Sequence, residues 1–114
     1  MNRKPLITEE MLQAAFDWLA ANSENVAHAR GALIRAEYRA KRIHAKQMLF
    51  ADGSQEIRKA TATISDEYQA ACEDHAEAEA KWAAILDTRN KFELLIEAWR
   101  TQQSNERGLV RASR

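Results

Sequence analysis

Apolar residues recur every seven positions over most of this chain. In its second half Ile64, Ala71, Ala78, Ile85, Phe92 and Trp99 form one row, and Tyr68, His75, Trp82, Arg89 and Ile96 form another beside it. Rows offset by three and four residues make a seam along one helix face. Residues 65–107 contain no glycine or proline, so the pattern predicts a single helix of roughly 40 residues, about 60 Å at 1.5 Å per residue. Such a helix needs partners along its whole length.

The first half carries the same kind of pattern. Leu12, Ala15, Phe16 and Leu19 fall at i, i+3, i+4 and i+7, with Met11 and Trp18 at the flanks. From Glu24 to Ala51 the rows are Val26, Leu33, Ala40 and Gln47, and Ala29, Ala36, Ile43 and Phe50. The alanines let a neighbouring helix approach closely. Gly31 costs about 1 kcal/mol against alanine, which a long helix absorbs.

Polar punctuation divides these runs. Thr8 ahead of Glu9 and Glu10 suits an N-cap with acids at the positive end of a helix. The run Asn22-Ser23-Glu24-Asn25 competes for backbone hydrogen bonds and predicts a break. Asp52-Gly53-Ser54 predicts a turn, with Gly53 in the left-handed conformation and Ser54 capping a short helix after it. The β-branched Thr61, Thr63 and Ile64 limit that short helix, and Ser65-Asp66-Glu67 caps the long one. The expected layout is a flexible N-terminus over 1–7, one helical domain over 8–107 with helices at about 8–22, 24–51, 55–63 and 65–107, and a flexible basic tail over 108–114. The fold class is all-α: a long helical hairpin with an extra N-terminal helix, oligomerising through its heptad-like seams. Tyr68, Trp82, Ile85, Phe92, Ile96 and Trp99 are its core and inter-subunit residues.

Composition sharpens the expectation of self-association. The 114 residues are 46% hydrophobic and 30% charged, with three glycines and one proline, which suits a thin helical protein with a modest core. Lys plus Arg and Asp plus Glu number 17 each, so any grip on a polyanion must come from uneven placement. Placement is uneven. Residues 24–51 hold Arg30, Arg35, Arg39, Lys41, Arg42 and Lys46 against Glu24 and Glu37, whereas Asp66, Glu67, Glu73, Asp74, Glu77 and Glu79 precede the first base of the long helix, Lys81. Two roles suit this arrangement. The basic stripe can pair with the acidic run across a hairpin, where exposed pairs contribute about 0–1 kcal/mol each and set register. Alternatively Arg35, Arg39, Arg42 and Lys46, with Arg58 and Lys59 beyond the turn, form a phosphate-binding rim. Repeating that rim around a ring would multiply its contacts.

Signals for catalysis are weak. Cys72 is the one cysteine, which excludes an internal disulfide and fits a reducing compartment, and its acidic neighbours disfavour a reactive thiolate. His28, His44 and His75 are scattered, with His75 in a seam position that favours packing over ligation. Glu73 and Glu77 lack the spacing of a di-iron site. There is no glycine-rich phosphate loop, no H-E-x-x-H and no nucleophile elbow. We therefore expect no enzyme, no catalytic residue, no metal and no cofactor. No apolar run approaches the roughly 20 residues of a membrane span, and no signal-peptide core opens the sequence. A cytoplasmic protein with no membrane partner is expected.

The order of features over residues 22–108 carries a resemblance. N-S-E-N leads into the basic stretch A-E-Y-R-A-K-R-I-H-A-K-Q-M-L-F, the turn A-D-G-S, a short R-K segment, then D-E-Y and a long helix with K-W-A-A-I-L-D and I-E-A-W-R-T. This layout resembles the UvsY-type recombination mediator family of tailed phages. The resemblance implies a helical protein that assembles into a homo-oligomeric ring, binds single-stranded DNA, and helps load a RecA-like recombinase onto strands covered by single-strand-binding protein. It places the family's basic positions on Arg42, His44, Lys46, Arg58 and Lys59. The chain departs from the family in offering His44 at one of these positions and in the helix expected at 8–22. The alternative expectation is a non-enzymatic oligomeric helical module, a phage inhibitor or assembly adaptor, that binds protein and not DNA.

Overall fold

The computed structural model describes residues 7–112. These form three helices, α1 (Glu9–Phe50), α2 (Gln55–Ile64) and α3 (Asp66–Ala112), and no strand occurs among the described residues. The all-α class follows directly. Residues 1–6, most of the expected flexible N-terminus, and the last two residues of the expected tail lie outside the described residues.

Caps delimit the helices as their sequence dictates. Thr8 Oγ1 accepts from the Met11 N–H at 3.2 Å, and Ser54 Oγ accepts from the Ile57 N–H at 3.3 Å. Gly53 adopts φ 107°, and a Cβ there would also lie 3.1 Å from Ile57 Cγ2; glycine fits on both counts. Ser65 serves two helices. Its hydroxyl donates to the Ala62 carbonyl at 2.8 Å and accepts from the Tyr68 N–H at 3.2 Å, so α2 ends and α3 begins on one side chain.

Two boundaries differ from expectation. α1 runs unbroken for 42 residues through Asn22-Ser23-Glu24-Asn25, so the helices expected at 8–22 and 24–51 are one. The Asn22 side chain donates to the Trp18 carbonyl one turn back at 3.0 Å, a bond made within the helix and not in place of it. Heptad phase also carries across: Leu12 and Leu19 continue the row of Val26 and Leu33. At the other end α3 passes through Gly108 to Ala112, so the expected flexible tail is helical up to that residue. One glycine costs about 1 kcal/mol against alanine without forbidding a helix, and Arg111 in the last turn suits the negative end.

The chain divides into two compact units, one comprising the residues up to Glu24 with those from Leu86 onward, the other Asn25–Ile85. Within each, α1 and α3 run antiparallel. In the 25–85 unit Arg39 meets Asp74 and Lys46 meets Glu67, so one heptad up α1 is one heptad down α3. Ala40, Ala62 and Ala71 are buried there, while Tyr68, His75, Trp82 and Ile85 are half-buried along the seam. In the other unit Trp18 meets Phe92 and the Ile7 backbone exchanges two hydrogen bonds with the Gln102 amide, at 3.4 and 3.2 Å. Ala15 and Ile96 are buried in that unit. Ile64 and Phe50, expected in the rows, are each 75% exposed, because both sit at helix ends flanking the turns; the α3 seam begins at Tyr68.

Candidate interaction surface

The basic positions singled out in the sequence fall in the 25–85 unit, and they separate by what each side chain touches. Arg39 Nη1 lies 3.6 Å from Asp74 Oδ2, and Lys46 Nζ lies 3.6 Å from Glu67 Oε1. Gln47 Nε2 donates to the second oxygen of Glu67. These pairs join α1 to the acidic start of α3. All four charged side chains are half exposed or more, so each pair contributes about 0–1 kcal/mol and weakens with salt.

His44 is tucked against the protein. A ring nitrogen lies 3.1 Å from Thr63 Oγ1, and the imidazole meets the Tyr68 ring edge-on at a centroid distance of 4.8 Å. It ties α1 to both α2 and α3. The Tyr68 phenol is in turn held above its ordinary pKa, first by a hydrogen bond with Cys72, then by its electrostatic interaction with the same side chain and by burial. Cys72 is half-buried one helical turn along α3.

Three other cations face outward. Arg42 and Lys59 are exposed and form no ion pair among the described residues. Arg58 is exposed, with its Nε donating to the Gly53 carbonyl at 3.1 Å, which pins the guanidinium beside the turn. Arg35 stands further along α1 and folds back over Gly31, where an added Cβ would lie 3.0 Å from its Nη1. The set expected to form one rim therefore divides into Arg39, Lys46 and His44, engaged within the protein; Arg58 and Lys59, exposed beside the turn; and Arg42 and Arg35, exposed along α1.

Two contacts escaped the sequence. The Arg30 guanidinium sits 5.6 Å from the centroid of the Trp82 ring, a cation–π contact that requires the register of α1 against α3 to be known. Trp18, the aromatic least attached to a seam, packs on Phe92 with ring centroids 5.4 Å apart. Its place next to Leu19 in the heptad was the available signal.

Apolar surface is also prominent. Ile34, Tyr38, Leu49, Phe50 and Ile57 of the 25–85 unit are exposed, as are Met11, Phe16, Leu94, Leu109 and Val110 of the other. No large side chain is fully buried among the described residues. A shallow groove beside the turn is lined by Ala45, Met48, Leu49, Gly53, Gln55 and Arg58. Among the described residues no group of three His, Cys, Asp or Glu could hold a metal ion, and no helix is long and apolar enough to cross a membrane. Comparison of the chain with protein-family models, curated proteins and solved structures finds no match.

Proposed function

We propose that this chain acts by assembly: it is a non-enzymatic helical module that joins copies of itself and holds single-stranded DNA through its outward-facing Arg42, Arg58 and Lys59, in support of a RecA-like recombinase. The observation that carries the assembly is the exposure of large apolar side chains on helices that bury chiefly alanine. Apolar area left in water is the usual driving force for association. The DNA half rests on the resemblance to UvsY-type mediators and on Arg42 of α1 with Arg58 and Lys59 of α2, which are exposed. One copy offers few phosphate contacts, and assembly multiplies them.

Fluorescence anisotropy of a labelled oligo-dT tests this directly. Binding is expected at micromolar protein and low salt, with a log–log salt slope of about 0.7 per phosphate neutralised. Arg42→Glu with Lys59→Glu should abolish it while helicity is kept. Absence of binding by the wild-type chain at low salt would remove the DNA half. A second reading, a protein-binding adaptor without DNA affinity, draws on the pairing of Arg39 with Asp74 and Lys46 with Glu67, which leaves fewer cations for phosphate. It expects the same self-assembly and a flat DNA titration.

A further inference from the structure

We infer that the outer face of α1 around Tyr38 docks on the outer face of α3 around Glu73 in a second copy of this chain, a contact that rests on the self-assembly proposed above. Both faces belong to the 25–85 unit. Its part of α1 holds six cations against Glu37, and its part of α3 holds six acids against Lys81. Two cross-helix pairs use part of each set. On α1, Arg35 has no ion pair among the described residues and Lys41 pairs only along its own helix, with Glu37 at 3.3 Å. On α3, Glu73 likewise has no ion pair among the described residues and Glu77 pairs only with Lys81, one turn on, at 3.3 Å.

Shape follows the same division. Ile34 and Tyr38 on α1 are 41% and 58% exposed, between Arg35 on one side and Lys41 on the other. The corresponding face of α3 carries exposed Ala70, Ala76 and Ala80 around Glu73 and Glu77. Large apolar side chains with a net positive rim, Arg35 and Lys41 against Glu37, thus meet small ones with a net negative rim, Glu73 and Glu77 against Lys81. A like-on-like contact, α1 against α1, would instead set Arg35 and Lys41 against their own copies. Because the two faces differ, the contact is heterologous and propagates, closing as a ring or continuing as a filament.

Charge reversal in halves tests the pairing. Arg35→Glu with Lys41→Glu makes both faces negative; Glu73→Lys with Glu77→Lys makes both positive. Each variant alone is expected to fall to the 13.0 kDa protomer by light scattering at concentrations where the wild-type chain assembles, and an equimolar mixture to regain the wild-type mass. Tyr38→Ser, which changes no charge, should weaken assembly at least tenfold, with circular dichroism confirming that each variant is helical. An α1 variant that keeps the wild-type mass, or helical single variants whose mixture stays protomeric, would overturn the assigned faces and leave self-assembly standing. A wild-type chain that is itself a protomer would overturn both.

Discussion

Around Trp18 and Phe92, α1 and α3 meet through rings and aliphatic chains; around Ala40 and Ala71, buried methyl groups and half-buried rings are edged by ions that cross between the helices. The first contact has ring centroids 5.4 Å apart with Ile96 buried nearby in sequence. Its unit's ion pairs, Arg89 with Glu93 and Arg100 with Glu97, run along a single helix. In the second unit, Arg39–Asp74 and Lys46–Glu67 cross from helix to helix. Spacing between helices follows the side chains between them, about 8–10 Å in general. One heptad repeat thus supports an apolar ring contact in one unit and a contact edged by cross-helix ion pairs in the other. The apolar contact should resist salt, and the polar-edged contact should respond to it.

Removing the bulk gives the largest expected effect. Phe92→Ala takes away a half-buried ring and its partner contact, and should destabilise the protein by about 2–3 kcal/mol, somewhat below the range for fully buried aromatics. Urea denaturation followed by circular dichroism measures it, and tryptophan fluorescence in a Trp82→Phe, Trp99→Phe background, which leaves Trp18 alone, reports the lost contact. A loss under about 0.5 kcal/mol, the size of an ordinary surface substitution, would mean that the rings meet without contributing.

Adding bulk at a buried alanine should come next. Ala71 is 3% exposed, so Ala71→Leu forces its neighbours aside at a cost of about 1–3 kcal/mol. Leu in place of Phe92 should be milder, under about 1.5 kcal/mol. If Ala71→Leu is as mild as Phe92→Leu, the site has room for a larger side chain and the burial of Ala71 does not mark a tight contact.

Much of this was legible in the chain. The sevenfold rows located the covered face of α3 from Tyr68 to Trp99, and Thr8, Gly53, Ser54 and Ser65 marked turns and caps through local chemistry alone. The break expected at Asn22 is absent because a continuous heptad phase outweighs a local polar signal; the side chain finds an acceptor one turn back within the helix. The tail is helical for a similar reason, since Gly108 in an exposed helix lowers stability without setting a boundary. At the candidate surface, charge runs predicted that cations and acids would be segregated but not which would touch. That choice depends on the antiparallel register of α1 and α3, which pairs Arg39 and Lys46 with acids and leaves Arg42 outward. Arg30 over Trp82 is invisible for the same reason. Arg89, at a seam position, keeps its Nε buried without a hydrogen-bond partner, with Glu93 at 3.9 Å.

The smallest expected effect sharpens the contrast most. Asp74→Asn removes the charge opposite Arg39 while keeping size and hydrogen-bonding capacity. With side chains 62% and 58% exposed, the pair should contribute about 0–1 kcal/mol. Its magnitude alone decides little; its salt dependence decides more. At 0.05 M salt the Debye length is about 14 Å, by scaling from 10 Å at 0.1 M, and at 1 M it is about 3 Å, so the difference between Asp74→Asn and wild type should shrink across that range. The difference caused by Phe92→Ala should not shrink. A double-mutant cycle with Arg39→Gln isolates the pair from other effects of either change. Coupling that vanishes with salt assigns Arg39 and Asp74 to register and an electrostatic edge. Coupling that persists at 1 M would mean that the contact is drier than its exposure implies, and that both units hold their helices by excluding water.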